Sequence, residues 1–332
     1  MAEGNRLHYH RGLLFWGLAL ITGGAVALAA QQHYIDSNVF TGAWKLWPLI
    51  LVAIGLSILL ARTRAAIVGT IVVALVVGTA GGALIAVGPA AFSCGGADPT
   101  DLTTEQGSFG EGASVQLDFN CGTLNVDMDN RLTDPPRNLW TVASGQKGGS
   151  AATITSAFDR LEVRSGSDNN WFDGGRQRWN VTLPTGTSYE WLEIKPNAAD
   201  TNVDLGGGTF TIVAVHPNAG SLFLDLTDAH IRELGMSLNA GSASIVIGPG
   251  LDMSGSLSVN AGSIELCTSG DVALRITSDS NITFATNLDE TDLVESGDTW
   301  SSRGYEAASE QVQIQLSGNA GSFDLNPEGG CS

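Results

Sequence analysis

Apolar and polar residues alternate through most of the chain after residue 93, and a repeated Asn-Ala-Gly-Ser string organises this alternation. Four copies of the string start at Asn218, Asn239, Asn260 and Asn319, and the first three are 21 residues apart. Apolar residues follow the asparagine at the fourth and sixth places in each copy, and at the eighth place in the copies at Asn218 and Asn239, as in Leu222, Leu224 and Leu226. Period-two alternation predicts half-buried strands. A fixed period predicts stacked rungs that bury a common core.

The residues of the repeated string also suit a bend between two strands. Gly220, Gly241 and Gly262 occupy its third position, where glycine supplies a positive φ. Looser copies start at Asn120 and Asn197. Each unit is therefore predicted as strand, turn, strand and loop. We expect residues 93–332 to form an all-β, β-helix-like or rack-like stack of 21-residue rungs with asparagine above asparagine.

The first 92 residues carry a different pattern, with long apolar runs at about 12–30, 46–61 and 66–92. A helix needs about 20 apolar residues to cross a bilayer. Three transmembrane helices are therefore predicted. A cleaved signal peptide is a weaker interpretation of the first run, because two further runs follow it.

Charge divides the chain at the same point and predicts its orientation. Residues 1–92 contain two acids and five bases, whereas residues 93–332 contain 32 acids and 11 bases, a net charge of −21. Arg62 and Arg64 lie between the second and third runs. The positive-inside rule then predicts a cytoplasmic N-terminus and an extracytoplasmic β domain. So acidic a domain argues against nucleic acid as a partner.

Cysteine placement fits an oxidising compartment. All four cysteines follow the apolar region: Cys94, Cys121, Cys267 and Cys331. Three pairings are open, of which proximity to each end of the domain favours Cys94–Cys121 with Cys267–Cys331. Their spacing matches no zinc site, and no cofactor is expected.

Acidic residues recur on the outward side of the predicted strands. Asp127, Asp204 and Asp225 all lie seven places after an asparagine, and the last two fall on adjacent rungs. Oxygen ligands of this kind would suit calcium, which makes Asp204 and Asp225 weak calcium candidates. A solvated acidic face is the favoured interpretation. A polysaccharide-cleaving β-helix enzyme, with paired aspartates as acid and base, is a less favoured alternative.

One segment, at 165–179, breaks the repeat. It places Trp171 and Phe172 in a polar, glycine-rich loop. Exposed aromatic residues on a loop indicate a binding surface. A hairpin tip folded back onto the end of the stack explains the same residues equally well.

Several strings resemble a known family of bacterial envelope proteins. They are RGLLFWGLALITGGAVALA, WKLWPLILVAIGLSILL, RWNVTLP and the repeated NAGS strands. Together they resemble proteins that join a LiaF-like membrane region to an extracytoplasmic toast-rack domain. The resemblance implies a role in sensing or regulating the response to envelope stress, often beside a two-component system.

The sequence favours binding over catalysis. It contains no glycine-rich phosphate loop, no G-x-S-x-G motif and no recognisable nucleophile–base pair. The leading hypothesis is a membrane-anchored binding or sensory module without enzyme activity. Its expected partners are the bilayer and an envelope or membrane protein, such as a two-component sensor, and self-association stays open. The alternative is a structural or adhesive envelope protein that uses the stack as a spacer.

Overall fold

We describe a computed structural model that covers the whole chain. The structure describes residues 21–22, 97–110, 112–129, 138–147, 151–166, 175–269, 271–279, 285–328 and 330–331. Two compact units divide the chain, Met1–Ala91 and Phe92–Ser332. The three predicted spans lie outside the described residues, except for residues 21 and 22. Within the described part of the chain, no helix has the length and apolar character needed to cross a bilayer.

The described part of the second unit is almost entirely β-structure. Its strands are β1 Thr103–Ser108, β2 Ala113–Asp129, β3 Leu139–Lys147, β4 Thr153–Ala157, β5 Arg160–Arg164, β6 Arg176–Pro184, β7 Ser188–Asp204, β8 Thr209–Val215, β9 Ala219–Asp225, β10 His230–Ile247, β11 Met253–Thr268, β12 Leu274–Ser278, β13 Ala285–Thr286, β14 Val294–Ser296, β15 Thr299–Ser301 and β16 Val312–Leu325. Two short 3₁₀ helices, Leu288–Glu290 and Tyr305–Ala307, complete it.

Consecutive rungs pair in parallel at the spacing of the sequence repeat. On β7, β8 and β10, Ser188 pairs with Thr209, and Thr209 pairs with His230. Further along, Ser242 of β10 pairs with Ser263 of β11. Each of these pairs joins residues 21 positions apart. The parallel register therefore places equivalent residues of successive repeats above one another.

The repeated string forms a corner inside a continuous strand, and this differs from the predicted turn. β10 and β11 each run through their copy of the string, and the ladder continues across it, with Gly241 paired to Gly262. Gly241 has φ +116°, and a Cβ there would lie 2.0 Å from the Gly220 carbonyl oxygen. The corner thus requires glycine both for its backbone angle and for the close approach of the next rung.

The predicted asparagine ladder is confirmed along the corner. The Nδ2 atom of one residue donates to Oδ1 of its neighbour in four pairs: Asn197 to Asn120 at 3.0 Å, Asn239 to Asn218 at 3.1 Å, Asn260 to Asn239 at 2.8 Å and Asn319 to Asn260 at 2.9 Å. Each side chain within this row satisfies its neighbour, so the exposed corner is held by side-chain bonds as well as by the backbone ladder.

Each rung has two arms, the part of the strand before the corner and the part after it. The core lies between these two arms, as the alternation predicts. Leu222, Leu224 and Leu226 are buried, and so are the equivalent residues before each corner, such as Leu192 and Ile194. Larger rings fill the N-terminal end of the stack. The rings of Phe119 and Trp179 meet edge to face at 4.9 Å, and those of Tyr189 and Phe210 stack at 4.9 Å.

The rungs do not stack in chain order. β2 lies between β6 and β7, and β16 lies between β11 and β12. The C-terminal tail is then tied back by the Cys267–Cys331 disulfide, which confirms that predicted pair. Cys121 is also disulfide-bonded, whereas Cys94 lies outside the described residues.

Candidate binding site

The predicted carboxylate row lies on the outer surface of the second arm, after the corner. Asp204 of β7 pairs with Asp225 of β9. Asp204 Oδ1 accepts a hydrogen bond from the Gly206 amide at 2.9 Å, and Asp225 Oδ1 accepts one from the Thr227 amide at 2.8 Å. Each carboxylate therefore closes the turn at the end of its own strand, which is a structural task for an aspartate.

A third carboxylate, that of Asp127 on β2, is influenced by this row. Desolvation of its carboxyl group, together with the nearby charge of Asp204, raises the pKa of Asp127 above its ordinary value. No group of three or more potential metal ligands occurs among the described residues. Calcium binding by Asp204 and Asp225 stays a prediction.

The predicted aromatic loop, with Trp171 and Phe172, lies outside the described residues. The strands on either side of it are described. β5 pairs with the first arm of β2, and β6 pairs with its second arm. Ser165 Oγ, at one end, accepts a hydrogen bond from the Asn120 amide at 2.9 Å. The role of Trp171 and Phe172 in binding stays a prediction.

A polar cluster attaches the first described segment of the second unit to the stack of rungs, which we call the rack. Arg176 forms an ion pair with Asp98, and Thr123 Oγ1 donates to Asp98 Oδ2 at 2.9 Å. Burial alone would raise the pKa of Asp98, but the hydrogen bonds from Arg176 and Thr123 and the positive charge of Arg176 outweigh it, so the pKa lies below its ordinary value. Residue 98 is thereby attached to β2 and β6.

A further surface feature, not predicted, lies on the outside of the first arm. Trp191 of β7 is 46% exposed, although it lies in the interior of a paired strand. Ser114 of β2 pairs with Trp191 on one side and with Arg160 of β5 on the other. A shallow cavity of about 200 Å³ opens here. We call this feature the Trp191 surface; its lining residues are Ser114, Val115, Gln116, Arg160, Trp191 and Glu193.

A β-bulge lies directly beside the indole. The register of β2 against β7 shifts between Ala113, which pairs with Tyr189, and Ser114, which pairs with Trp191. Glu190 is the additional residue, so Tyr189 points into the core while both Glu190 and Trp191 are exposed. Bulges of this kind redirect side chains and occur frequently beside functional sites.

Polar groups around the indole are held in place by their neighbours. Glu193 Oε2 contacts Lys195 Nζ at 2.8 Å, and Gln116 Nε2 donates to Asp118 at 3.2 Å. Arg160 differs, because no described residue forms an ion pair with its exposed guanidinium. The surface therefore offers an aromatic face bordered by an ordered carboxylate, an ordered amide and one available guanidinium. Sequence alternation does place Trp191 outside, next to buried Leu192, and this was the signal that could have found it.

The chain shows similarity to known proteins in two separate regions. A family model for the LiaI-LiaF-like transmembrane region matches residues 14–59. This match confirms the predicted resemblance over that stretch and indicates a membrane region there. No curated protein matches the chain significantly.

Solved structures resemble a larger part of the chain at low identity. A proposed cell adhesion protein from Clostridium sporogenes is 12% identical, with a TM-score of 0.41, covering 68% of this chain and 99% of that one. A proposed adhesin from Bacteroides fragilis is 11% identical, with a TM-score of 0.26, and the match covers 69% of this chain and 100% of that one. A proposed adhesin from Parabacteroides merdae is 9% identical, with a TM-score of 0.24, and the match covers 69% of this chain and 98% of that one. Similarities at this level give no information about function.

Proposed function

We propose that this protein is a membrane-anchored, extracytoplasmic binding module that contributes to sensing or regulating the response to cell-envelope stress. The observation that carries the proposal is the join between a LiaI-LiaF-like transmembrane match at residues 14–59 and a separate, disulfide-bonded β unit. The membrane region anchors the chain, and the β unit presents the binding surface.

The disulfide supports the extracytoplasmic placement. Cys267 and Cys331 are bonded, and such bonds persist in oxidising compartments. The positive residues Arg62 and Arg64 lead to the same orientation through the positive-inside rule. The N-terminus is then cytoplasmic and the β unit outside.

The side chains of the rack support binding rather than catalysis. Asp204 and Asp225 are neighbouring carboxylates on the outer surface, and each accepts a hydrogen bond from a backbone amide at the end of its own strand. In contrast, the Trp191 surface combines an exposed indole with ordered polar groups, which is the composition of a ligand contact. The expected partner is an envelope or membrane protein, such as a two-component sensor, with Trp171 and Phe172 as a second contact.

Topology is the first experiment. Intact cells are treated with a membrane-impermeant reductant and then with an impermeant maleimide. We expect the four cysteines to be labelled after reduction and not before it. Labelling that requires permeabilisation would place the rack inside and overturn the proposal.

A replacement experiment separates a binding module from a spacer. The rack is exchanged for an unrelated β-solenoid of similar length, and the transcriptional response to a cell-wall-active antibiotic is measured. Loss of the response, together with loss of crosslinking to a membrane partner, is expected. A full response from the exchanged protein would mean that the rack acts only as a spacer.

A further inference from the structure

Trp191 is exposed in the middle of a paired strand. Phe158, the other exposed large hydrophobic ring in the described rack, lies in the β4–β5 turn. Trp191 instead lies on a strand paired on both sides, between β2 and β8. A bulge with an additional residue at Glu190 accompanies it. The exposed part of the indole is therefore accessible to a ligand.

The groups around the indole define the ligand's chemistry. A guanidinium from Arg160, an amide from Gln116 and a carboxylate from Glu193 surround an apolar ring. Planar groups of this kind donate to and accept from pairs of neighbouring hydroxyls. A ligand that matches must have one apolar face and a rim of hydroxyl groups. A pyranose ring has this form, because its axial C–H bonds present an apolar face to the electron-rich indole.

The cavity is small. Its volume of about 200 Å³ is below the roughly 300–1,000 Å³ typical of pockets for drug-sized ligands. The surface is also too polar around the indole for the apolar face of a helix. The net charge of −21 over residues 93–332 disfavours phosphate-rich polymers.

From these observations we propose that the Trp191 surface binds a neutral saccharide, with one sugar ring stacked on Trp191. Arg160, Gln116 and Glu193 form hydrogen bonds to the hydroxyls of the stacked ring. This assignment rests on the proposed function only in that it names the ligand class of the binding module, and it can be tested without knowledge of the signalling role.

The experiment uses the full chain in lipid nanodiscs, with cellotetraose and chitotetraose as the saccharide probes. Saturation-transfer NMR identifies ring protons that contact the protein, and calorimetry gives the affinity. We expect at least one tetramer to bind and Trp191→Ala to weaken it about tenfold or more. Trp191→Tyr should keep most of the affinity. Gln313→Ala is the matched control, because Gln313 is exposed in the same outward row on β16.

A second variant tests the polar groups around the indole. Arg160→Ala removes the guanidinium beside Trp191, so it should weaken tetramer binding while leaving the contact of a sugar with Trp191 intact. Thermal melting of every variant checks that the rack is still folded. Absence of binding by both tetramers, or equal binding by wild type and Trp191→Ala, would overturn the saccharide assignment.

The two proposals fail separately. If both tetramers fail while Trp191→Ala still removes crosslinking to a membrane protein, the ligand is a protein, and the binding module stands without the saccharide. If tetramers bind through Trp191 while the rack proves cytoplasmic, the saccharide site stands and the proposed extracytoplasmic function falls.

Discussion

The corner glycines make the strongest demand on the sequence, and Gly241→Ala tests it. Gly241 has φ +116°, and the new Cβ would lie 2.0 Å from the Gly220 carbonyl oxygen. Backbone angles of this kind cost about 1–3 kcal/mol for a residue with a side chain. Relieving the contact must also move one rung away from the next, which breaks ladder hydrogen bonds worth about 1–3 kcal/mol when left unsatisfied. We therefore expect a loss in the free energy of unfolding on the order of 4 kcal/mol.

The same strand provides the control. Gly235 of β10 has open space where the methyl group of an alanine would lie, with no atom within 4 Å. Gly235→Ala should change the free energy of unfolding by less than about 1 kcal/mol. The change is stabilising if its main effect is to lower the conformational entropy of the unfolded chain.

The assay is thermal unfolding of fragment 93–332, after circular dichroism has shown that the fragment forms strands. Since 1 kcal/mol shifts Tm by about 2–4 °C in a domain of this size, Gly241→Ala should melt roughly 8–16 °C below wild type. Gly235→Ala should melt close to wild type. If the two variants melt within about 3 °C of each other, the corner does not need glycine and the argument from close approach is wrong.

Other contacts in the rack give three more predictions. The folded-state pKa of Asp98 lies below its ordinary value of 3.8. The ion pair between Asp98 and Arg176 therefore stabilises the fold at pH values above 3.8, and this stabilisation is lost as the pH falls through the folded-state pKa. Asp98→Asn should therefore destabilise the fragment at pH 7, and its denaturation midpoint should converge with wild type in acid. Leu224→Asp should cost roughly 4 kcal/mol or more by placing a charge in the core, against about 1 kcal/mol for Asp225→Leu, which loses one capping hydrogen bond; equal losses in urea titrations would put the in–out register wrong by one residue. Cys331→Ser opens a 64-residue loop and should cost about 2–4 kcal/mol, so an unchanged melt would show that the tail is not fastened by that bond.

The alternation in the sequence determined much of the interior correctly, because burial of one face depends only on a period of two. Leu222, Leu224 and Leu226 are buried as the pattern predicts. The corner glycines and the asparagine ladder followed from the same repeat. The geometry of the bend is predicted less well. A chain-reversing turn and a corner inside a strand favour the same residues, and only the pairing with the neighbouring rung shows that the backbone hydrogen-bond ladder continues through the bend.

Other features depend on contacts that no local pattern records. The bulge at Glu190 needs the register of β2 against β7, so Trp191 could be placed outside but could not be recognised as a binding surface. The bond between Asp98 and Arg176 joins residues far apart in sequence. Of the cysteines, Cys267 and Cys331 were paired correctly from their position near the end of the domain.

The position of the last strand, β16, limits the order in which the protein can fold. β16, at Val312–Leu325, fills the place between β11 and β12, both of which are synthesised before it. Until that segment is available, two strand edges have no partner, and unpaired edges are what promote association with other chains. The rack therefore cannot be completed progressively from its N-terminus, as an open solenoid can. A chain that terminates before residue 312 lacks the strand that joins β12 to β11, so premature termination yields an aggregation-prone product instead of a shorter rack.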